Sequence, residues 1–291
     1  MHRLAAIMIA KWLNSVSIAA TIAVAALAVA IATRPALAAD PVEPGRFVWH
    51  DLMARDVNAA RRFYGELLGW RFEDTKRGDR PYVLASSAAG RVAGIVDISA
   101  MANAGQQWLS FMAVADVDKS VAQVQADGGK VLVEPRNLDG IGRAAVVADP
   151  QGAPLGLANL LRNPPDPQQP TLNHFFWQEY LARDAAQALD FYKRLAGYES
   201  AITDSRLGLE YHVLRKTRGR AGLFQLPATV VDVEPNWLPY VFVSDPATVA
   251  ARVPGLGGRI VVAAKPELRN GSLVVIADPG GAVLALQKYP F

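Results

Sequence analysis

From Phe47 to Met53 the chain runs short, aromatic and apolar, Phe47-Val48-Trp49-His50-Asp51-Leu52-Met53, which is a strand pattern. Asp56 then stands at a helix N-cap position, and Ala59, Ala60, Phe63, Tyr64, Leu67 and Leu68 follow at helical spacing. Gly69–Glu73, Tyr82–Ser86 and Val92–Ile98 read as three more strands. The rhythm restarts with a strand at Trp108–Val114, a cap at Asp116 and a helix at Val117–Ala126. Strands at Lys130–Val133, Arg143–Ala148 and Ala153–Ala158 close it. The pattern predicts two successive βαβββ units.

The second half of the chain repeats the first. Phe175-Phe176-Trp177-Gln178-Glu179-Tyr180-Leu181-Ala182-Arg183-Asp184 echoes Phe47 to Asp56 at a shift of 128 residues. Phe191-Tyr192 and Gly197-Tyr198 echo Phe63-Tyr64 and Gly69-Trp70 at the same shift. Further on the shift is 129, with Trp237-Leu238 against Trp108-Leu109 and Asp278-Pro279-Gly280-Gly281-Ala282 against Asp149-Pro150-Gln151-Gly152-Ala153. Asp184 and Asp245 open the corresponding helices. Such duplication means tandem homologous domains, so a site is sought in both copies. The domains run over 43–162 and 172–291, joined by a Pro-rich, stiff linker at 163–171. Each copy is long enough to bury a core as a single domain.

Four βαβββ units with both motifs duplicated resemble the vicinal oxygen chelate superfamily, which includes glyoxalase I, extradiol dioxygenases and bleomycin-binding resistance proteins. The motifs that carry the resemblance are Asp56…Phe63-Tyr64…Leu68-Gly69-Trp70, Asp184…Phe191-Tyr192…Ala196-Gly197-Tyr198 and the two Asp-Pro turns at Asp149 and Asp278. It covers nearly everything after residue 43. It implies an α+β fold in which paired units curl a mixed sheet into a half-open cup with helices outside, one cup per domain.

The resemblance also implies where a divalent metal would bind. The positions that supply its ligands in chelating members are Trp49, Ser110 and Gly156 in the first copy, and Trp177, Pro239 and Ala285 in the second. Indole offers no lone pair, Pro, Gly and Ala offer no side-chain donor, and one Ser does not hold a transition metal. No metal and no cofactor are therefore expected. His50 lies one residue past the ligand position, and in a strand that shift turns the side chain to the opposite face. It is expected toward the helices, with Gln178 as its repeat mate. His174 and His212 read as solvated or core histidines.

By strand alternation Trp49 and Asp51 face into the first cup, and Trp177 and Glu179 into the second. Trp108 with Ser110, and Trp237, are expected to join them. These seven residues outline an aromatic pocket with one acid per domain, suited to an apolar or cationic small ligand. The alternative is that the indoles fill the cups. Asp51 and Glu179 are the candidate catalytic bases if burial perturbs them. That leaves two further functions open: a lyase, isomerase or dioxygenase with a non-standard site, and an interaction module with plugged cups. No G-x-S-x-G, phosphate-loop or H-E-x-x-H motif is present.

Residues 1–38 change how the composition reads. Arg3 and Lys11 precede an apolar run over Val16–Ala32, and Ala36-Leu37-Ala38 offers a small-residue cleavage site. This is the pattern of a secretory signal peptide, and implies a periplasmic or secreted protein with no membrane contact after cleavage. An uncleaved anchor is the alternative. The leader carries Arg3, Lys11 and Arg34, so of 30 basic residues 27 remain against 27 acidic ones. The neutral remainder gives no electrostatic support for a nucleic-acid partner. With no cysteine, disulfides and thiolate chemistry are excluded.

Overall fold

The computed structural model describes residues 42–101, 104–204 and 210–289; the expected leader lies outside the described residues. The first unit comprises β1 (Phe47–Ala54), α1 (Val57–Leu68), β2 (Arg71–Arg77), β3 (Arg80–Ser87) and β4 (Gly90–Asp97). The second comprises β5 (Gln107–Ala113), α2 (Val117–Ala126), β6 (Lys130–Leu138), β7 (Gly142–Ala148) and β8 (Pro154–Leu160). The third comprises β9 (Phe175–Ala182), α3 (Ala185–Ala196), β10 (Glu199–Asp204), β11 (Glu210–Arg215) and β12 (Gly219–Gln225). The fourth comprises β13 (Asn236–Phe242), α4 (Pro246–Ala251), β14 (Arg259–Val262), β15 (Leu273–Ala277) and β16 (Val283–Gln287).

Local chemistry sets the helix ends. The carboxylates of Asp56, Asp116 and Asp184 each accept the backbone N–H three residues on, at 2.8, 3.1 and 2.9 Å. α1 and α3 stop at Gly69 and Gly197, both left-handed, with φ of 69° and 66°. α4 is the shortest helix, opened by Pro246 and closed before Pro254.

Each half forms one eight-stranded mixed sheet, in the orders β2-β3-β4-β1-β5-β8-β7-β6 and β10-β11-β12-β9-β13-β16-β15-β14. The first strands of paired units lie antiparallel at the centre, and β1 and β9 run parallel to β4 and β12. The edges are therefore β2 and β6 in the first cup, and β10 and β14 in the second. One buried cluster lies on the concave side of each sheet: Val48, Leu109, Phe111 and Ala158 in the first, and Leu181, Leu238, Tyr240 and Ala285 in the second.

The expectation that each copy buries its own core needs correction for the helix layer. Phe63, Tyr64 and Leu67 of α1 pack in one cluster with Val241, Ala250, Ile276 and Leu284 of the fourth unit. Phe191 and Tyr192 of α3 pack with Val121, Val124, Leu155 and Leu157 of the second. The amphipathic helices thus bury their apolar faces across the domain boundary. The linker also joins the halves, because Asp166 meets Arg46, Arg218 and Arg220, and Arg220 Nε donates to Glu43 at 2.6 Å. Among the described residues no helix is long and apolar enough to cross a membrane.

Candidate functional site

Alternation along β1 decides what the first cup contains. Leu52 and Ala54 point into the helix layer, so Trp49, Asp51 and Met53 point to the concave side. Asp51 is 1% exposed, and its neighbours explain how a carboxylate survives there. Arg77, at the end of β2, grips it with both terminal nitrogens, Nη1 to Oδ2 at 2.5 Å and Nη2 to Oδ1 at 2.9 Å. Tyr82 Oη donates to Oδ1 at 2.6 Å, and Trp49 Nε1 donates to the same oxygen and to Tyr82 Oη, both at 2.9 Å. The Arg77 guanidinium also lies 3.8 Å from the centroid of the Tyr82 ring. Burial opposes the Arg77 charge, but Asp51 outweighs it and holds that guanidinium above its ordinary pKa. Burial and the Asp51 charge push the Tyr82 phenol up.

The second cup repeats the design with one substituted part. Glu179, 4% exposed, accepts from Tyr211 Oη at 2.8 Å and from Tyr240 Oη. Trp177 Nε1 donates to Tyr211 Oη at 3.3 Å. The guanidinium comes from Arg269, in the segment between β14 and β15, and bonds Glu179, Tyr211 Oη and Gln287 Oε1. Arg269 and Asn270 hold positive φ of 46° and 55°, an uncommon backbone for such residues.

Glycine makes the phenol contacts possible. Gly94 of β4 pairs with Asp51, and a Cβ there would sit 1.6 Å from Tyr82 Oη. Gly222 of β12 pairs with Glu179, and its Cβ would sit 1.9 Å from Tyr211 Oη. Each tyrosine lies across the space a side chain would occupy.

Three expected cup residues face the other way. In the antiparallel β1–β5 ladder Ser110 lies opposite His50, and Trp108 opposite Leu52. Directly opposed residues share a face, so Trp108 and Ser110 join the helix layer. The cup positions of β5 are Leu109 and Phe111. Trp108 Nε1 donates to Tyr64 Oη at 3.0 Å, and Trp237 Nε1 to Tyr192 Oη at 2.8 Å. Both indoles are core residues between the domains.

His50 and Gln178 behave as the repeat suggested. His50 is buried toward the helix layer and stacks on Phe175, with centroids 3.9 Å apart. Ser110 Oγ donates to Gln178 Oε1 at 3.1 Å, and Gln178 Nε2 donates to His50 Nε2 at 2.6 Å. Burial pushes the His50 pKa down to about 3, against a smaller upward pull from Asp51. The Asp-Pro turns also reach across the boundary. Asp278 accepts from Tyr64 Oη at 3.1 Å and Gln106 Nε2 at 2.9 Å, and Asp149 accepts from Tyr192 Oη at 2.8 Å and from Tyr180 Oη.

A divalent metal does not fit this donor set. Among the described residues no three His, Asp or Glu side chains converge. The one acid in each cup is already held by a guanidinium and by phenols, and His50 faces away. The same contacts remove the acids as partners for a cationic ligand, which corrects that part of the sequence expectation. They also make Asp51 and Glu179 anchors for the arginines, with Asp51 Oδ1 accepting from three donors at once.

Arg77, Arg269, Tyr82, Tyr211 and Tyr240 were not legible as site residues. The tyrosines carried a signal, since Tyr82 and Tyr211 recur at a shift of 129 and Gly94 and Gly222 at 128. Arg269 carried none, because its repeat counterpart is Gly140, and Arg77 falls on Ser205 at a shift of 128 and on Arg206 at 129, so the repeat did not single it out.

A sequence model of the Glyoxalase/Bleomycin resistance protein/Dioxygenase superfamily matches residues 46–157, which span β1 to β8 almost completely. The first of the two cups is thus similar in sequence to this superfamily. CFP32 of Mycobacterium tuberculosis, which carries a provisional glyoxylase name, is 29% identical over 244 residues, covering 82% of this chain and 93% of that one. The anthracycline biosynthesis protein DnrV of Streptomyces peucetius is 28% identical over 259 residues, covering 82% and 91%. Two solved structures share the fold at 15% identity. The Mn(II)-bound glyoxalase of Novosphingobium aromaticivorans has a TM-score of 0.55, covering 85% of this chain and 82% of that one. A variant of homoprotocatechuate 2,3-dioxygenase of B. fuscum has a TM-score of 0.58, covering 86% and 74%. The two-cup scaffold is thus shared with these structures, and the first-strand positions at which the resemblance would put a metal ligand hold Trp49 and Trp177.

Proposed function

We propose that this glyoxalase-like protein binds a small, largely apolar molecule in its cups without a divalent metal, after export from the cytoplasm. The observation that carries this is the acid–arginine–tyrosine–tryptophan cluster at the point where a chelating relative would need open ligands. The partly exposed rings of Trp49 and Trp177 supply flat apolar walls, with Met53 beside the first and Phe176 and Phe224 beside the second. The name of DnrV, an anthracycline biosynthesis protein, supports a ligand with an aromatic body. The basic and apolar leader ending at Ala38 supports export.

Three measurements test this. Elemental analysis of purified protein should find no stoichiometric divalent metal, and millimolar Mn²⁺ should leave the melting temperature unchanged. A panel of polycyclic aromatic ligands should quench tryptophan fluorescence, with Trp49→Phe removing part of the response. One metal per domain would overturn the metal-free part. A flat fluorescence signal across the panel would overturn binding and favour plugged cups.

A further inference from the structure

The first cup carries positive charge that its own acid does not balance. Arg77 and Arg80 are directly opposed in the β2–β3 ladder. Arg77 reaches Asp51 on the concave side, so Arg80 emerges on that side too. On the far edge strand, β6, Arg136 lies opposite Ala144, a concave-cluster residue. β2 and β6 are the two lips of this sheet. Arg80 and Arg136 therefore stand on opposite lips and face one mouth, with Arg77 below Arg80.

Arg77 is paired with Asp51, whereas Arg80 and Arg136 have no hydrogen bond or ion pair among the described residues. Both keep exposed surface, as a ligand would require, although the Arg136 guanidinium is partly desolvated. Burial, and then the like charges of Arg80 and Arg77, hold the Arg136 guanidinium below its ordinary pKa, and no carboxylate counters them. One more donor is left over, since Arg77 Nε is buried without a partner. Like charges converging on a concave mouth with leftover donors match an anion in geometry and in charge.

We propose that the mouth of the first cup is an anion site in which Arg80 and Arg136 receive the carboxylate or phosphate of a ligand whose apolar body lies against Trp49. This rests on the small-molecule binding proposed above and adds the ligand's charge. The second cup is built otherwise, because its guanidinium comes from Arg269.

The probes are 2-naphthoate, its neutral amide 2-naphthamide, and inorganic phosphate, on the full chain at low salt. Naphthoate should bind about tenfold more tightly than the amide, the scale of one charge-assisted hydrogen bond. Arg80→Gln and Arg136→Gln should each weaken naphthoate roughly threefold to tenfold and leave the amide unchanged. Phosphate should compete with naphthoate and not with the amide. Both substitutions are at exposed lips, and unchanged melting curves would show that the fold is intact. Equal binding of acid and amide would overturn the anion site and leave small-molecule binding standing. Naphthoate binding indifferent to both substitutions would also overturn it. If neither naphthalene binds and phosphate raises the melting temperature no more in the wild type than in the double variant, the anion site and cup binding both fall.

Discussion

Acid should destabilise this protein through one residue at the junction of its halves. His50 lies buried with its ring face on Phe175 and its Nε2 accepting from Gln178. The Gln178 amide is itself oriented by Ser110, so the nitrogen presented to His50 is a donor. Protonating His50 would set two N–H groups against each other in a site without water's compensation. That contact and burial act in the same direction, and the folded pKa lies at about 3 against 6.5 for the free side chain. The folded value is the depressed one, so above pH 6.5 neither state binds the proton and nothing is lost. Below 6.5 the unfolded chain takes up the proton and the folded one does not, so stability falls with pH until about 3. The loss is about 2 kcal/mol at pH 5 and on the order of 4–5 kcal/mol near pH 3.

His50→Gln isolates this effect. Gln occupies the repeat-equivalent position 178, accepts from a neighbouring amide and does not titrate. Urea unfolding of wild type and variant at pH 7.5 and pH 5.0 gives the difference at each pH. Other titrating groups, including Asp149 and Asp278, whose carboxyls burial pushes up, are common to both proteins and cancel. Relative to wild type, the variant should gain about 2 kcal/mol between the two pH values. The same difference at both would refute a neutral His50 held by burial.

Three further outcomes follow from contacts in and between the cups. Gly94→Ala should cost roughly 1–3 kcal/mol and shift the Trp49 emission, because the new methyl takes the space of Tyr82 Oη; an unchanged melt and spectrum would refute the packing. Asp278→Asn should cost about 1–3 kcal/mol, since Gln106, Tyr64 and the Gly280 and Ala282 amides share that acceptor. Because Tyr64 belongs to the other half, the whole chain should melt earlier as one transition; a two-step melt that spares the first half would refute the cross-domain role. Arg269→Met should lower stability and leave any first-cup ligand binding intact, measured by calorimetry, because of the two cup acids only Glu179 loses its arginine.

The repeated pattern made the scaffold legible. Four capping aspartates, two left-handed glycines and the alternation of β1 and β9 set the elements and the inward direction of Trp49, Asp51, Trp177 and Glu179. The misplacement of Trp108, Ser110 and Trp237 has one cause. Facing in a second strand depends on its register with the first, and the Asp51–Leu109 pairing is a tertiary fact that spacing from a helix cap fixes only to within a residue. A slip of one residue exchanges Leu109 and Phe111 for Trp108 and Ser110. The partners across the domain boundary, such as Tyr64 with Asp278, were hidden for a different reason. They lie 214 positions apart, and nothing in either segment marks the other as its neighbour.

The two halves agree in the residues that build the fold and differ in the arginine that meets the buried acid. Capping Asp, packing Phe-Tyr pair, Asp-Pro turn and phenol-bearing Tyr all recur, and each has a structural task in both copies. Among the described residues, the arginine that meets the buried acid is Arg77 in one cup and Arg269 in the other. It is carried by an edge strand in one cup and by a segment with left-handed backbone in the other. The first cup kept its arginine on a lip beside Arg80, and the second drew Arg269 in over Tyr211 and Tyr240. Among the described residues the arginines are placed differently in the two cups, so one ligand should not satisfy both equally.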